Sequence, residues 1–186
     1  MKKSIFALLT SILVLMSLNI HAYSQDVKVG IILGFTGPIE SLTPTMASSA
    51  ELAFKEATDA GILGGVTLTP IRADSTCIDA AAAVSGAERL VTSDNVAAIM
   101  GADCSGVTTA ITNNVAVPNG VTIISPSATS PALTTIEDKG FFFRTAPSDA
   151  RQGQVLAQVV MDRGIKKLAV TYTNNDYGKG LSDSFV

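Results

Sequence analysis

The sequence predicts an α/β protein built on a parallel sheet, and three observations carry that expectation. Short apolar runs recur at intervals of roughly 25 residues, Gly, Pro or Ser turn chemistry closes each run, and helical patterns fill the gaps. Strands joined through helices pair in parallel, because a crossover of that length returns the chain to the same end of the sheet.

Each element has a local reason. Val27–Leu33 (VKVGIIL) is a continuous apolar run bounded by Gly34, the pattern of a strand buried on both faces, and Phe35-Thr36-Gly37-Pro38 turns the chain. Met46, Ala50, Ala53, Phe54 and Ala57 recur at helical spacing, with Gly61 placed to end that helix. Gly64-Gly65 leads into a strand at Val66–Arg72, whose Pro70 suggests an edge position. Asp79 can cap an Ala-rich helix over Ala80–Val91, and Val96–Met100 is again strand-like. Gly106–Val117 reads as a helix ended by Pro118-Asn119-Gly120, then Val121–Ile124 as a strand. Ser130 and Pro131 suit the cap and first turn of a short helix. Phe141–Thr145 is a further strand with its phenylalanines expected in the core, and Asp149 with Gln152 resembles a capping box. That helix, carrying Val155, Leu156, Val159 and Val160, should stop at Gly164, with Lys167–Tyr172 as one more strand and another helix after Gly178.

Bulk composition narrows the function classes. The chain has 186 residues, 47% hydrophobic and 16% charged, with net charge −3, which suits a folded core and not a polyelectrolyte. No basic run is longer than two residues, so there is no electrostatic footprint for nucleic acid. Residues 1–24 read as a signal peptide: a basic start, an apolar run from Ile5 to Ile20, and Ala22-Tyr23-Ser24 as a cleavage pattern. A membrane anchor is the alternative, although the run is shorter than the roughly 20 apolar residues a span needs. The signal reading implies a periplasmic or secreted protein without stable membrane insertion after cleavage. Removal of the segment leaves a charge of about −5 and takes away His21, the single histidine. Without His, neither a Ser-His-Asp or Cys-His nucleophile nor a His-ligated metal can be built. No enzyme activity and no cofactor are implied.

Cys77 and Cys104 are the two cysteines. In an oxidising compartment the pair reads most simply as one disulfide, closing a loop of about 28 residues worth roughly 3–4 kcal/mol in the chain-entropy treatment. Two free thiols or a redox pair are the alternatives.

The stretch richest in chemistry is Gly101–Leu133. Two small-residue loops, Asp103-Cys104-Ser105-Gly106 and Ser125-Pro126-Ser127-Ala128-Thr129-Ser130, each follow a strand and open into a helix. In a parallel sheet both lie at the carboxyl ends of the strands, where ligands bind. Hydroxyls and free N–H groups at a helix start suit an anion such as a carboxylate. Helix capping alone would also account for Ser105 and Thr129.

VKVGIILGFTG, Cys77 with its Ala-rich helix, GADCSG, ISPSATSPALT, FFRTAPSDARQG and NNDYGKGL, in this order, resemble the bacterial periplasmic branched-chain amino-acid-binding proteins, type I solute-binding receptors of ABC transporters. The resemblance covers the chain after residue 24 and about half of a typical family member. It implies the periplasmic binding protein type I fold: a flavodoxin-like parallel-sheet lobe at 25–147 and the start of a second, similar lobe at 148–186, cut short. Two such lobes would close on a ligand between them. The resemblance also implies roles. The Ser105 hydroxyl and N–H, with the Thr129 N–H, would hold a ligand α-carboxylate. The Ser127 carbonyl and Thr129 hydroxyl, with Ala128 between them, would surround the ammonium. Tyr177 would close from the second lobe, and Leu42 sits where the family often has an aromatic residue over the ligand side chain. Cys77 and Cys104 match the family's disulfide positions. The partners implied are an amino acid or related amide and ABC-transporter permease subunits. A flavodoxin-like phosphate, nucleotide or sensory site is the alternative, and a hydrolase using Ser105 fails because GADCSG is no G-x-S-x-G elbow.

Overall fold

The computed structural model describes residues 25–186; the proposed signal peptide at 1–24 lies outside the described residues. Five strands form one all-parallel sheet: β1 (Asp26–Leu33), β2 (Thr67–Asp74), β3 (Ala98–Gly101), β4 (Thr122–Ser125) and β5 (Phe142–Arg144), in the order β2-β1-β3-β4-β5. The expected sheet is present, and β2 with Pro70 is an edge strand, where a residue lacking an N–H costs the ladder least. The chain leaves β1 to build β2 on one side and then crosses to β3 on the other. The topological switch point therefore falls between β1 and β3.

Helices cover the faces unequally. On one face α2 (Ala80–Glu88, continuing as a π-helical turn Arg89–Ser93) and α3 (Ser105–Ile111, continuing helically to Asn119) seal the main core of Ile32, Leu90, Ile99, Val107, Ile111 and Ile123. Asp79 caps α2 as its sequence position suggests, accepting from the N–H groups of Ala81 and Ala82. On the other face α1 (Thr43–Asp59) covers Ile31 and Leu33 with Ala47, Met46 and Phe54. It leaves Ile124 and Phe143 exposed. The expectation that all of Phe141–Phe143 is core thus holds for Phe142 and fails for Phe143, because strand alternation turns Phe143 onto the half of the sheet that α1 does not reach.

After β5 come α4 (Asp149–Asp162) and α5 (Asp176–Phe185), which pack on each other. Lys167–Tyr172, expected as a strand, is not one. Leu168, Val170 and Tyr172 are exposed, and no neighbouring strand among the described residues offers the hydrogen bonds that would make the run a ladder. The capping box at Asp149 is also corrected. Ser148 is the cap, accepting from the Ala150 N–H, and Asp149 turns inward. Likewise α5 starts at Asp176, ahead of Gly178, because the Asn175 side chain caps it through the Gly178 N–H.

Candidate functional site

The loops after β1, β2, β3 and β4 meet at the carboxyl end of the sheet, and one buried carboxylate ties three of them. Asp103, directly after β3 and the following Ala102, accepts from the Gly34 N–H at 2.8 Å, the Ser75 hydroxyl at 3.3 Å and the Cys104 N–H at 2.9 Å. Its own carbonyl accepts from the Ser127 hydroxyl at 3.0 Å, which brings in the loop after β4. Cys77 and Cys104 form a disulfide with Cα atoms 5.2 Å apart, joining the β2 loop to the start of α3. Behind them Gly101 has φ +135°, and a Cβ there would lie 2.1 Å from the Ile32 carbonyl oxygen, so the β1–β3 crossing admits glycine alone.

The two hydroxyl loops are brought together directly: the Ser130 N–H donates to Ser105 Oγ at 3.1 Å. Ser105 is 2% exposed, its oxygen is engaged as an acceptor, and its proton has no acceptor among the described residues. The N–H groups of Ser105 and Gly106 open α3 and have no intrahelical acceptor, and Cys104 supplies no side-chain cap. The Thr129 N–H has no protein acceptor among the described residues. These three N–H groups are the free donors of the arrangement.

The acceptor half is defined by what the loop carbonyls already do. Arg144 Nη1 donates to the carbonyls of Ser130 at 2.9 Å and Ala128 at 3.4 Å, and Nη2 to Thr134 Oγ1 at 2.5 Å. The Thr129 carbonyl accepts from the Asp149 N–H at 3.0 Å. The Ser127 carbonyl alone in this loop, from Ser127 to Ser130, is left without a donor among the described residues, and the Thr129 oxygen retains lone pairs because its proton goes to Asp149 Oδ2 at 2.7 Å. Burial pushes the Arg144 guanidinium below the ordinary arginine range, and the nearby Asp149 charge pulls the other way. Ala128 is fully buried beneath the loop, its N–H bound to Ser125 Oγ at 2.9 Å; its side chain packs in the main core.

The outer residues sit differently. Leu42 is 59% exposed at the start of α1, and Tyr177 is 46% exposed in the first turn of α5. Helix α5 nevertheless reaches the loops. A Cβ on Gly180 would lie 2.8 Å from Pro131 Cδ and 3.1 Å from Ser130 Oγ, and one on Gly106 would lie 3.7 Å from the Asp176 carboxylate. An open cavity of about 320 Å³ separates α5 from the Pro131–Thr134 turn; it touches the hydroxyl loops through Ser130, and neither Ser105 nor Thr129 lines it. Asp103, Arg144 and Asp149 were not read from the sequence as site residues. The available signal was their position, each at or shortly after the end of a strand of a parallel sheet.

The sheet gathers donors and acceptors at its switch-point end, the place where ligands bind in open parallel sheets, and the comparisons give the family. The family profile described as "Periplasmic binding protein" matches residues 26–186, and the chain belongs to that family. A Leu/Ile/Val-binding protein homolog 3 of Brucella melitensis is 32% identical over 163 residues, 86% of this chain and 43% of that protein. The Leu/Ile/Val-binding protein of Citrobacter freundii is 28% identical over 91% of this chain and 45% of its own length. Among solved structures, the branched-chain amino acid transporter substrate-binding protein LivJ of Streptococcus pneumoniae in complex with isoleucine superposes with a TM-score of 0.74 at 30% identity, covering 87% of this chain and 46% of that one. The chain thus spans less than half the length of the relatives it matches. Among the described residues no helix is long and apolar enough to cross a membrane.

Proposed function

We propose that this chain is the ligand-recognising portion of a periplasmic solute-binding receptor of an ABC transporter, taking an aliphatic or branched-chain amino acid, or a related amide, and delivering it to permease subunits. The observation that carries the reading is the polarity of the joined loops: unpaired N–H donors at Ser105, Gly106 and Thr129 stand beside two uncommitted acceptors, the Ser127 carbonyl and Thr129 hydroxyl. A zwitterionic head needs that pair of opposite polarities, and a phosphate would need donors alone. The names of the relatives agree in ligand class.

The domain division, with 25–147 as one lobe and 148–186 opening a second, belongs to this proposal. Residue by residue, the Ser105 hydroxyl and N–H and the Thr129 N–H hold the carboxylate, Ser127 and Thr129 hold the ammonium, and Ala128 keeps the loop seated. Leu42 and Tyr177 lie towards the ligand side chain. Calorimetric titration with leucine, isoleucine, valine and small amides tests the reading, with inorganic phosphate and a flavin nucleotide as controls. Heat from the amino acids and none from the controls supports it, and no response to any amino acid overturns it.

A further inference from the structure

The acceptor character of Thr129 is not intrinsic, because a threonine hydroxyl can donate or accept equally well. Asp149 decides between the two. Its carboxylate is 2% exposed and takes the Thr129 proton at 2.7 Å, while its N–H donates to the Thr129 carbonyl at 3.0 Å. Thr129 is therefore held at both its side chain and its backbone by one residue. On either side, Arg144 holds the carbonyls of Ala128 and Ser130, so the loop cannot rotate the hydroxyl to a different acceptor without breaking bonds from two directions.

We propose that Asp149 is a positioning residue for ligand selectivity: it fixes the Thr129 hydroxyl as an acceptor and so makes the site choose an ammonium over an uncharged group at that place. The inference rests on the receptor reading above. With its proton committed to a buried carboxylate, the Thr129 oxygen can only receive, and the anion behind it strengthens that bond towards a cation. Asp149 touches no ligand. A ligand with the same carboxylate and side chain but no ammonium gains nothing from it.

The test compares leucine with 4-methylpentanoate, which is leucine without its ammonium, by NMR titration of the chain and of D149A, D149N and T129V, with ligand carried to millimolar concentration. D149A and T129V are each expected to weaken leucine about tenfold or more while changing 4-methylpentanoate by less than about twofold. The double variant should lose no more leucine affinity than either single one. D149N keeps an acceptor oxygen without the charge, and it should recover part of the loss. Equal weakening of both ligands in D149A and T129V shows a structural role and overturns the proposal, as does unchanged leucine binding. Should D149A fail to fold, T129V and D149N carry the same comparison. Wild-type chain that binds leucine and 4-methylpentanoate equally overturns the positioning role alone. Wild-type chain that binds no amino acid overturns the receptor reading, and the two failures are thereby distinguished.

Discussion

Two apolar runs of similar character end differently in this molecule. Val121–Ile124 lies between β3 and β5, and Thr122–Ser125 becomes a central strand with Ile123 wholly buried. Lys167–Tyr172 also carries β-forming Val170, Thr171 and Tyr172, yet has no strand partner among the described residues, with Leu168 and Val170 facing solvent. The difference teaches that β propensity describes fitness for a pleated, half-buried surface and cannot create that surface. A strand exists where neighbours supply hydrogen bonds and a helix supplies cover. The two sheet faces repeat the lesson on a smaller scale, with Phe142 buried and Phe143 open one residue later.

The comparison can be strained hardest at the disulfide. Replacing Cys77 and Cys104 together by serine should cost roughly 3–4 kcal/mol in urea denaturation, since the closed loop of 27 residues' separation contains β3 and α2. Hydrogen exchange should then quicken across β1, β3 and β4 and stay unchanged in 166–172, whose amides have no acceptor among the described residues. Next, Ile123→Ala should remove about 3 kcal/mol, while Val170→Ala stays within about 0.5 kcal/mol. Equal effects of these two would show that the second run is packed in solution and would erase the contrast.

Smaller changes sharpen the picture. Asp79→Ala should cost about 1 kcal/mol through the lost α2 cap, read as a shift of the urea midpoint without a change of slope. The mildest concerns acid. Burial raises the Asp74 carboxyl, but bonds from the Thr36 hydroxyl and the N–H groups of Thr76 and Thr36 outweigh it and hold the group below its ordinary value. A depressed carboxylate contributes stability that is present above its unfolded value and is lost as pH falls through its folded one. Asp74→Asn should therefore lower stability at neutral pH and make the acid limb of the stability curve shallower below about pH 4.

Much of the fold was legible because its causes are local. Asp79 stands one residue before an Ala run, Pro70 forbids a central strand position, and the 25-residue alternation permits only parallel crossovers. What failed had causes outside the local window. Asp149 followed by Gln152 has the spacing of a capping box, but Ser148 precedes it and performs the cap, so the aspartate is free to turn towards Thr129, twenty residues away in sequence. Ser130 stands at the N-cap position of the Pro131–Thr134 turn as expected, but its hydroxyl makes no capping bond, and its N–H reaches Ser105.

The candidate site divides along the same line. Its residue types, hydroxyls and small residues following strands, are written in the chain, and they point to hydrogen-bonding recognition at the carboxyl end of the sheet. By itself the sequence determined the strand–helix rhythm up to β5, the Asp79 cap and the placing of both loops at one end of the sheet, because these depend on neighbours within a few residues. Only the tertiary structure decided which carbonyls Arg144 and Asp149 consume, which donors remain open at the start of α3, and that Asp103 holds three loops together. Hydrogen-bond polarity at a buried group is settled by whichever partner arrives through space, and that partner has no fixed distance along the chain.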